Sequence, residues 1–161
     1  MSGGVDSSVA AALLKEAGHD IVGATLKLWG GASDSGCCSV SDVDDARRVA
    51  HSLGIDHHIF NYTSEFEAAV VQPFVQDHAA GLTPNPCIEC NRVIKFDLLF
   101  ERAERLGFDA VATGHHALVE EWRGRPTLTR SVDPLKDQSY VLGYLQGPTI
   151  AKLMLPLGAM T

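Results

Sequence analysis

Three groups of residues in this chain have the types and spacing to do chemistry. The first is Ser2-Gly3-Gly4-Val5-Asp6-Ser7-Ser8, followed at once by the apolar run from Val9 to Leu14. Glycine lacks a Cβ, so a Gly-Gly step lets several main-chain N–H groups converge on one point. A helix starting there aims its partial positive end at the same point. These residues suit a phosphate. The second group is Cys87-x-x-Cys90, set in the stretch Thr83-Pro84-Asn85-Pro86-Cys87-Ile88-Glu89-Cys90-Asn91. Its thiols suit sulfur transfer, redox work or metal binding. The third is Gly114-His115-His116, a glycine beside two imidazoles that are candidates for proton transfer or positioning.

The kind of phosphate site can be narrowed by elimination. A nucleoside-triphosphatase P-loop needs a Gly-Lys-Ser/Thr ending, and no lysine occurs before Lys15. A dinucleotide fingerprint needs a third glycine where Ser8 and Val9 stand. Ser2 to Ser8 instead resembles the pyrophosphate loop of the ATP-pyrophosphatase (PP-loop) superfamily. That resemblance implies cleavage of ATP between its α- and β-phosphates and adenylylation of a carbonyl oxygen. The plainer reading is a glycine-serine turn capping an ordinary helix.

These groups need elements to hold them. Helical periodicity runs from Ser7 to Ala17 and stops at Gly18. Residues 21–28 read as a buried strand, and a Gly/Ser-rich loop over 30–39 carries Cys37-Cys38. Ser41 with Asp44 resembles a capping box for a helix ending at Leu53 and Gly54. His57 to Phe60 is a strand; Ser64 with Glu67 starts a helix that Pro73 should bend or split. Pro84 and Pro86 argue against helix, so the next one starts just after Cys90, with Ile94, Leu98, Leu99, Ala103 and Leu106 on its apolar face. Such a helix end would raise the thiolate fraction of Cys90. Asp109 to Gly114 is a strand, 118–122 and 127–130 form a hairpin joined by Arg123-Gly124-Arg125-Pro126, and two short helices fill 138–153. Strands alternating with helices predict an α/β fold with a doubly wound, mostly parallel sheet, whose ligands gather at the carboxyl ends of its strands. No strand precedes the phosphate loop, so the sheet is expected to lack its first strand. Residues 1–150 form the ATP-binding domain and 151–161 the start of a linker to further domains.

Composition sets bounds. At 161 residues, 45% hydrophobic and 20% charged, the chain is one globular domain, with no transmembrane run or signal peptide. Four cysteines in two close pairs, with no sign of secretion, point to redox or metal chemistry in the cytoplasm. The net charge of −7 argues against a nucleic-acid binder that uses its whole surface, leaving a local groove open.

Four motifs in order, SGGVDSS, TPNPCIECNRVIKF, ATGHH and LKDQSYVL, resemble the tRNA-specific 2-thiouridylase family (MnmA/TrmU) from Ser2 to about Leu157. The resemblance implies a Rossmann-like PP-loop fold and thiolation of C2 of the wobble uridine in tRNAs for Lys, Glu and Gln, with ATP and Mg²⁺. It further implies an adenylylated uridine, and a persulfide supplied by a cysteine desulfurase or a sulfur-relay protein. No DNA or membrane partner is implied. By motif, Ser2, Gly3, Gly4, Val5, Asp6, Ser7 and Ser8 hold the ATP phosphates, and Leu26 and Gly114 line the adenosine. Asn85, Pro86 and Cys87 contact the target base, while Lys136, Asp137 and Gln138 contact tRNA. Cys90 partners the persulfide-bearing cysteine, as nucleophile or as the thiol that frees sulfur through a disulfide bond. Two departures stand out. Many members carry an aspartate where Cys87 stands, and the second catalytic cysteine is not among these residues, so the chain alone is expected not to complete thiolation.

Alternatives stay open around these assignments. Cys87 and Cys90, with or without Cys37 and Cys38, have spacing for zinc or an iron–sulfur cluster. Cys37 and Cys38 also read as plain loop thiols or a regulatory pair. His116 and His57-His58 read as structural, and Arg123-Gly124-Arg125 as a solvated turn. Arg92, Lys95 and Lys136 are candidates for local positive charge. Rival functions are another PP-loop ligase or synthetase, which would lack the proline-cysteine loop, and a non-enzymatic nucleotide- or metal-binding module.

Overall fold

The computed structural model describes residues 1–28 and 40–161. The loop carrying Cys37 and Cys38 lies outside the described residues. Helix α1 (Val5–Glu16) buries Ala10 and Leu14, one turn apart, and ends before Gly18 as its periodicity predicts. Strand β1 (Val22–Lys27), helix α2 (Val40–Leu53) and strand β2 (Asp56–Asn61) form a parallel unit, in register from Val22↔Asp56 to Lys27↔Asn61. Ala46 and Ala50 are the buried stripe of α2, spaced four apart. Helix α2 includes Ser41 and Asp44, the residues expected near its start. His57 is tied to the buried Thr25, Nε2 to Oγ1, at 2.8 Å, in keeping with a structural role.

A second parallel pair joins β3 (Val111–Ala112) to β6 (Leu153–Met154), and β4 (Ala117–Trp122) with β5 (Arg125–Arg130) makes the expected antiparallel hairpin. Its two-residue turn has both φ angles positive, 52° at Arg123 and 73° at Gly124, which matches the twist of the strands it connects. The described strands thus form three two-stranded pieces rather than one continuous sheet. The opening residues bridge the two parallel pieces. Thr25 Oγ1 donates to the Met1 carbonyl at 2.7 Å on the β1 side. On the β3 side, Gly114 abuts the Asp6–Ser7 peptide.

Two helical stretches depart from their predicted form. The first runs through α3 (Thr63–Phe66), a π-helical segment over Glu67–Val71 and α4 (Gln72–Ala79). Asn61 Oδ1 accepts from the Thr63 N–H and hydroxyl at 3.1 and 2.8 Å, setting the start one residue before Ser64. Pro73 neither splits nor ends this run. It has no N–H for the carbonyl four residues back and would crowd it. The chain widens just beforehand, where the Gln72 N–H reaches the Glu67 carbonyl in an i→i−5 bond.

The second run is α5 (Pro86–Glu89), a π-helical segment over Cys90–Leu98, and α6 (Leu99–Arg105). It starts before Cys87 rather than after Cys90. Asn85 caps it, its side chain accepting from the N–H groups of Cys87 and Ile88 at 3.0 and 3.4 Å. Pro86 takes the first helical position, where the missing N–H costs nothing. Leu106, expected on the apolar face, sits at the helix end and is 54% exposed.

Two apolar clusters hold these parts together. Leu26, Leu28, Phe66, Val70 and Ile94 form one, with Cys90 packed against it. Phe96, Phe100, Ala117, Val141, Leu142 and Leu153 form the other, which ties the Cys90 run to the hairpin and to β6. A 3₁₀ turn (Ser139–Leu142) and α7 (Gly147–Ala151) replace the two predicted short helices. Among the described residues no helix is long and apolar enough to cross a membrane.

Candidate nucleotide and thiol site

The loop ahead of α1 is built by its serines and glycines. Ser7 Oγ and Ser8 Oγ both donate to the Gly4 carbonyl, at 3.1 and 2.9 Å, and the Ser2 N–H donates to Ser7 Oγ at 3.1 Å. These bonds curl residues 2–8 back on themselves. No side chain caps the first turn of α1, so its leading N–H groups are left to face outward. That is the donor arrangement a phosphate takes. Two glycines are required by contact. Gly3 has φ +76°, and a Cβ there would lie 2.5 Å from the Asp42 carbonyl oxygen of α2. A Cβ on Gly114 would lie 2.8 Å from the main-chain carbon of Asp6 and nitrogen of Ser7. Gly114 therefore serves at least to let the β3 end close on the loop. Leu26 is 8% exposed within the core.

Asp6 is the one acid in this loop and lies in the first turn of α1. A carboxylate beside incoming phosphates repels them unless a cation stands between, so the donor set fits Mg²⁺ accompanying a nucleotide. Among the described residues no group of three or more His, Cys, Asp or Glu could hold a metal ion by itself. Cys87 and Cys90 thus have no third such ligand among the described residues for zinc or an iron–sulfur cluster.

Cys87 stands exposed at the second position of its helix, and Cys90 follows three residues on, partly buried. Asn91 Nδ2 donates to the Cys87 carbonyl at 2.9 Å. That carbonyl also receives the main-chain N–H of Cys90, three residues on. The widened π turn begins at this point. Asn91 Oδ1 and the Tyr144 hydroxyl are buried with no hydrogen-bond partner among the described residues. Burial, then the nearby Asp97, hold the Tyr144 phenol well above its ordinary pKa of 10, and Cys90 adds to the effect.

The third motif links these two. The His115 ring lies 6.1 Å from the Phe96 ring of the Cys90 run, and its Nδ1 is 2.8 Å from Thr113 Oγ1. Burial, then Lys95 and His116, lower its pKa to about 4. It is neutral near pH 7. His116 is 7% exposed, and its Nε2 lies 3.7 Å from Asp6 Oδ1. The phosphate loop, the His115-His116 turn and the thiol-bearing helix are thereby consecutive neighbours.

The predicted tRNA-contacting stretch splits in its contacts. Lys136 is exposed. The Asp137 carboxylate is occupied within the chain, accepting from the Ser131 N–H at 3.0 Å, the Ser139 N–H at 3.3 Å and the Ser139 hydroxyl at 2.9 Å. Burial works against its charge, but these bonds and Arg130 outweigh it, and its pKa falls below the usual carboxylate value. Gln138 grips His116 twice: its Oε1 accepts from the His116 N–H at 3.0 Å, and its own N–H donates to the His116 carbonyl at 2.8 Å. Arg92 is drawn to Glu89 at 2.5 Å, which reduces the local positive charge expected of it. Sequence reasoning missed Asn91 and the contact of His116 with Asp6. For Asn91 a signal was available, its i+4 spacing from Cys87; for His116 only its place beside Gly114 hinted at a role.

The family model for the tRNA methyl transferase HUP domain matches residues 1–161. Similar curated proteins carry the name tRNA-specific 2-thiouridylase MnmA. That of Chloroflexus aggregans is 52% identical over 166 positions, covering 100% of this chain and 46% of its own length. That of Roseiflexus castenholzii is 49% identical over 181 positions, covering 100% and 49%, and that of Geotalea uraniireducens 48% over 170, covering 100% and 45%. The chain spans about half the length of these relatives.

Proposed function

The chain belongs to the tRNA methyl transferase HUP-domain family, an α/β fold of the Rossmann-like kind, and from that premise we propose that it is the ATP-binding part of a tRNA 2-thiouridylase. The observation that carries this reading is the run of contacts from the Ser2–Ser8 loop through Gly114 and His115-His116 to the helix bearing Cys90. A nucleotide held by the first and a base held beside the last would meet at one edge. The family's description speaks of methyl transfer and its relatives' names of thiolation. Two cysteines one helical turn apart, on the helix that this run of contacts reaches, favour sulfur.

In this reading the uridine O2 attacks the α-phosphorus of ATP and pyrophosphate leaves. An amide-like oxygen is a poor leaving group, and adenylylation makes it a good one. The outer sulfur of a persulfide then attacks C2, and the C2–O2 bond breaks as AMP departs. Cys90 then attacks the inner sulfur as the nucleophile, breaking the S–S bond, forming a disulfide with the persulfide-bearing cysteine and leaving the thiocarbonyl on the base. The loop N–H groups bind the phosphates, Gly114 and Leu26 line the adenosine, and Asn85, Pro86 and Cys87 meet the base. Asn85 has its oxygen committed to the helix cap, so its amide nitrogen is what it presents. Mg²⁺, with Asp6 as its protein carboxylate, would neutralise triphosphate charge. The substrates are wobble uridines of tRNAs for Lys, Glu and Gln, the sulfur comes from a desulfurase or relay protein, and the setting is the cytoplasm.

The test is pyrophosphate release from ATP with tRNA lacking the thiolated base. Release stimulated by that tRNA and retained in C90S supports the proposal. Formation of ADP and phosphate, or methylated rather than thiolated product, overturns it.

A further inference from the structure

His116 is the buried polar side chain that the reading above leaves without work. Its side chain is 8% exposed, its Nδ1 has no partner among the described residues, and its Nε2 faces Asp6 Oδ1 at 3.7 Å. Both of its main-chain groups are taken by Gln138, and Ala117 beside it is fully buried. The backbone that carries the ring is therefore fixed. A neutral imidazole has one proton and two nitrogens to put it on. On Nδ1 that proton would be a buried donor with nothing to receive it, at the full desolvation cost of an unmade hydrogen bond. On Nε2 it faces a carboxylate. The distance exceeds the ~3.2 Å of an N–H···O bond, yet only the exposed Asp6 side chain has to rotate to close it.

We propose that His116, held by Gln138, is the positioning residue that orients the Asp6 carboxylate at the mouth of the phosphate loop. With one carboxylate oxygen drawn to Nε2–H, the other is turned toward the cation that accompanies the nucleotide. The same grip ties the segment at residues 136–138 to the phosphate loop. A contact made at Lys136 would then be felt at Asp6 through two hydrogen bonds and one ring. This inference rests on the nucleotide reading above and adds a residue to it.

Calorimetric titration of the chain with Mg·ATP, and with ATP in a chelator, tests the idea. H116F should weaken Mg·ATP binding about three- to fivefold, the effect of a half-solvated contact, while metal-free ATP binding stays unchanged. H116Q, whose amide N–H stands near the imidazole Nε2–H, should restore the metal-dependent part; H116N, whose amide stands nearer Nδ1, should not. In a D6N background H116F should have no further effect. Equal weakening of both nucleotide forms, no weakening, or H116Q behaving as H116F would overturn the inference. A long-range proton–nitrogen spectrum of the unaltered chain reads the tautomer even if a variant fails to fold: a proton on Nε2 supports the assignment and one on Nδ1 sinks it. Failure of the unaltered chain to bind Mg·ATP would instead overturn the nucleotide reading.

Discussion

His115 and His116 are neighbours with different duties, and their surroundings explain why. His115 is packed against Phe96 and feels Lys95, so a second proton on its ring is disfavoured, and its pKa drops to about 4. In the unfolded chain the ring would titrate near 6.5. Between those values the unfolded state binds more protons than the folded one, so stability is present above pH 6.5 and is lost as pH falls toward 4. The expected loss between pH 7 and 5 is about 2 kcal/mol, measured by urea unfolding. H115F should remove most of that slope; an unchanged slope would show that other groups carry it. His57, whose pKa is lowered by burial, the N-terminus, Arg47 and His58, acts in the same direction and should supply a remaining part.

The elements that present the site are set by short-range rules acting at particular positions. Asn85 and Pro86 look like a barrier to helix when counted as loop formers. In place they are a cap and a first residue. N85A removes the acceptor for two N–H groups and should cost about 1 kcal/mol of stability, while N85D should keep most of it; denaturant melts compare them. No change in N85A would mean the cap is idle. This case also shows where sequence reading ends. Consecutive motifs such as Ser2–Ser8 were legible because the chemistry lies within a few residues. The helix, strand and hairpin periods of α1, β2 and β4–β5 were legible for the same reason. The π-helical segments were not, because apolar spacing at Ile94, Leu98 and Leu99 fits an α-helix equally well. The shortness of β3 and the meeting of His116 with Asp6 depend on partners far along the chain, such as Met154 and the phosphate loop. Asp137 and Gln138 read as surface contacts, yet their polar ends turn inward onto Ser131, Ser139 and His116.

As a whole the molecule carries a net charge of −7 and meets a polyanion, in the proposed reading, with few cations. Of the three expected at the site, Arg92 is held by Glu89. Lys95 and Lys136 are in no described ion pair. Each phosphate neutralised adds roughly 0.7 to 0.9 to the magnitude of the salt slope. The chain should therefore bind tRNA with a log–log slope no steeper than about −3, read from filter binding across salt concentrations. A slope near −6 would reveal a basic surface elsewhere, and K136A should flatten the slope by about one contact.

The double grip of Gln138 on His116 has a practical consequence. It joins the residue before β4 to one well beyond β5, so the excursion between them, the hairpin included, is closed at its base and free at its tip. Exposed tips of this kind tolerate added sequence. A fluorescent or affinity tag spliced between Arg123 and Gly124 should leave Mg·ATP affinity intact, giving a handle on the molecule that does not touch its working edge.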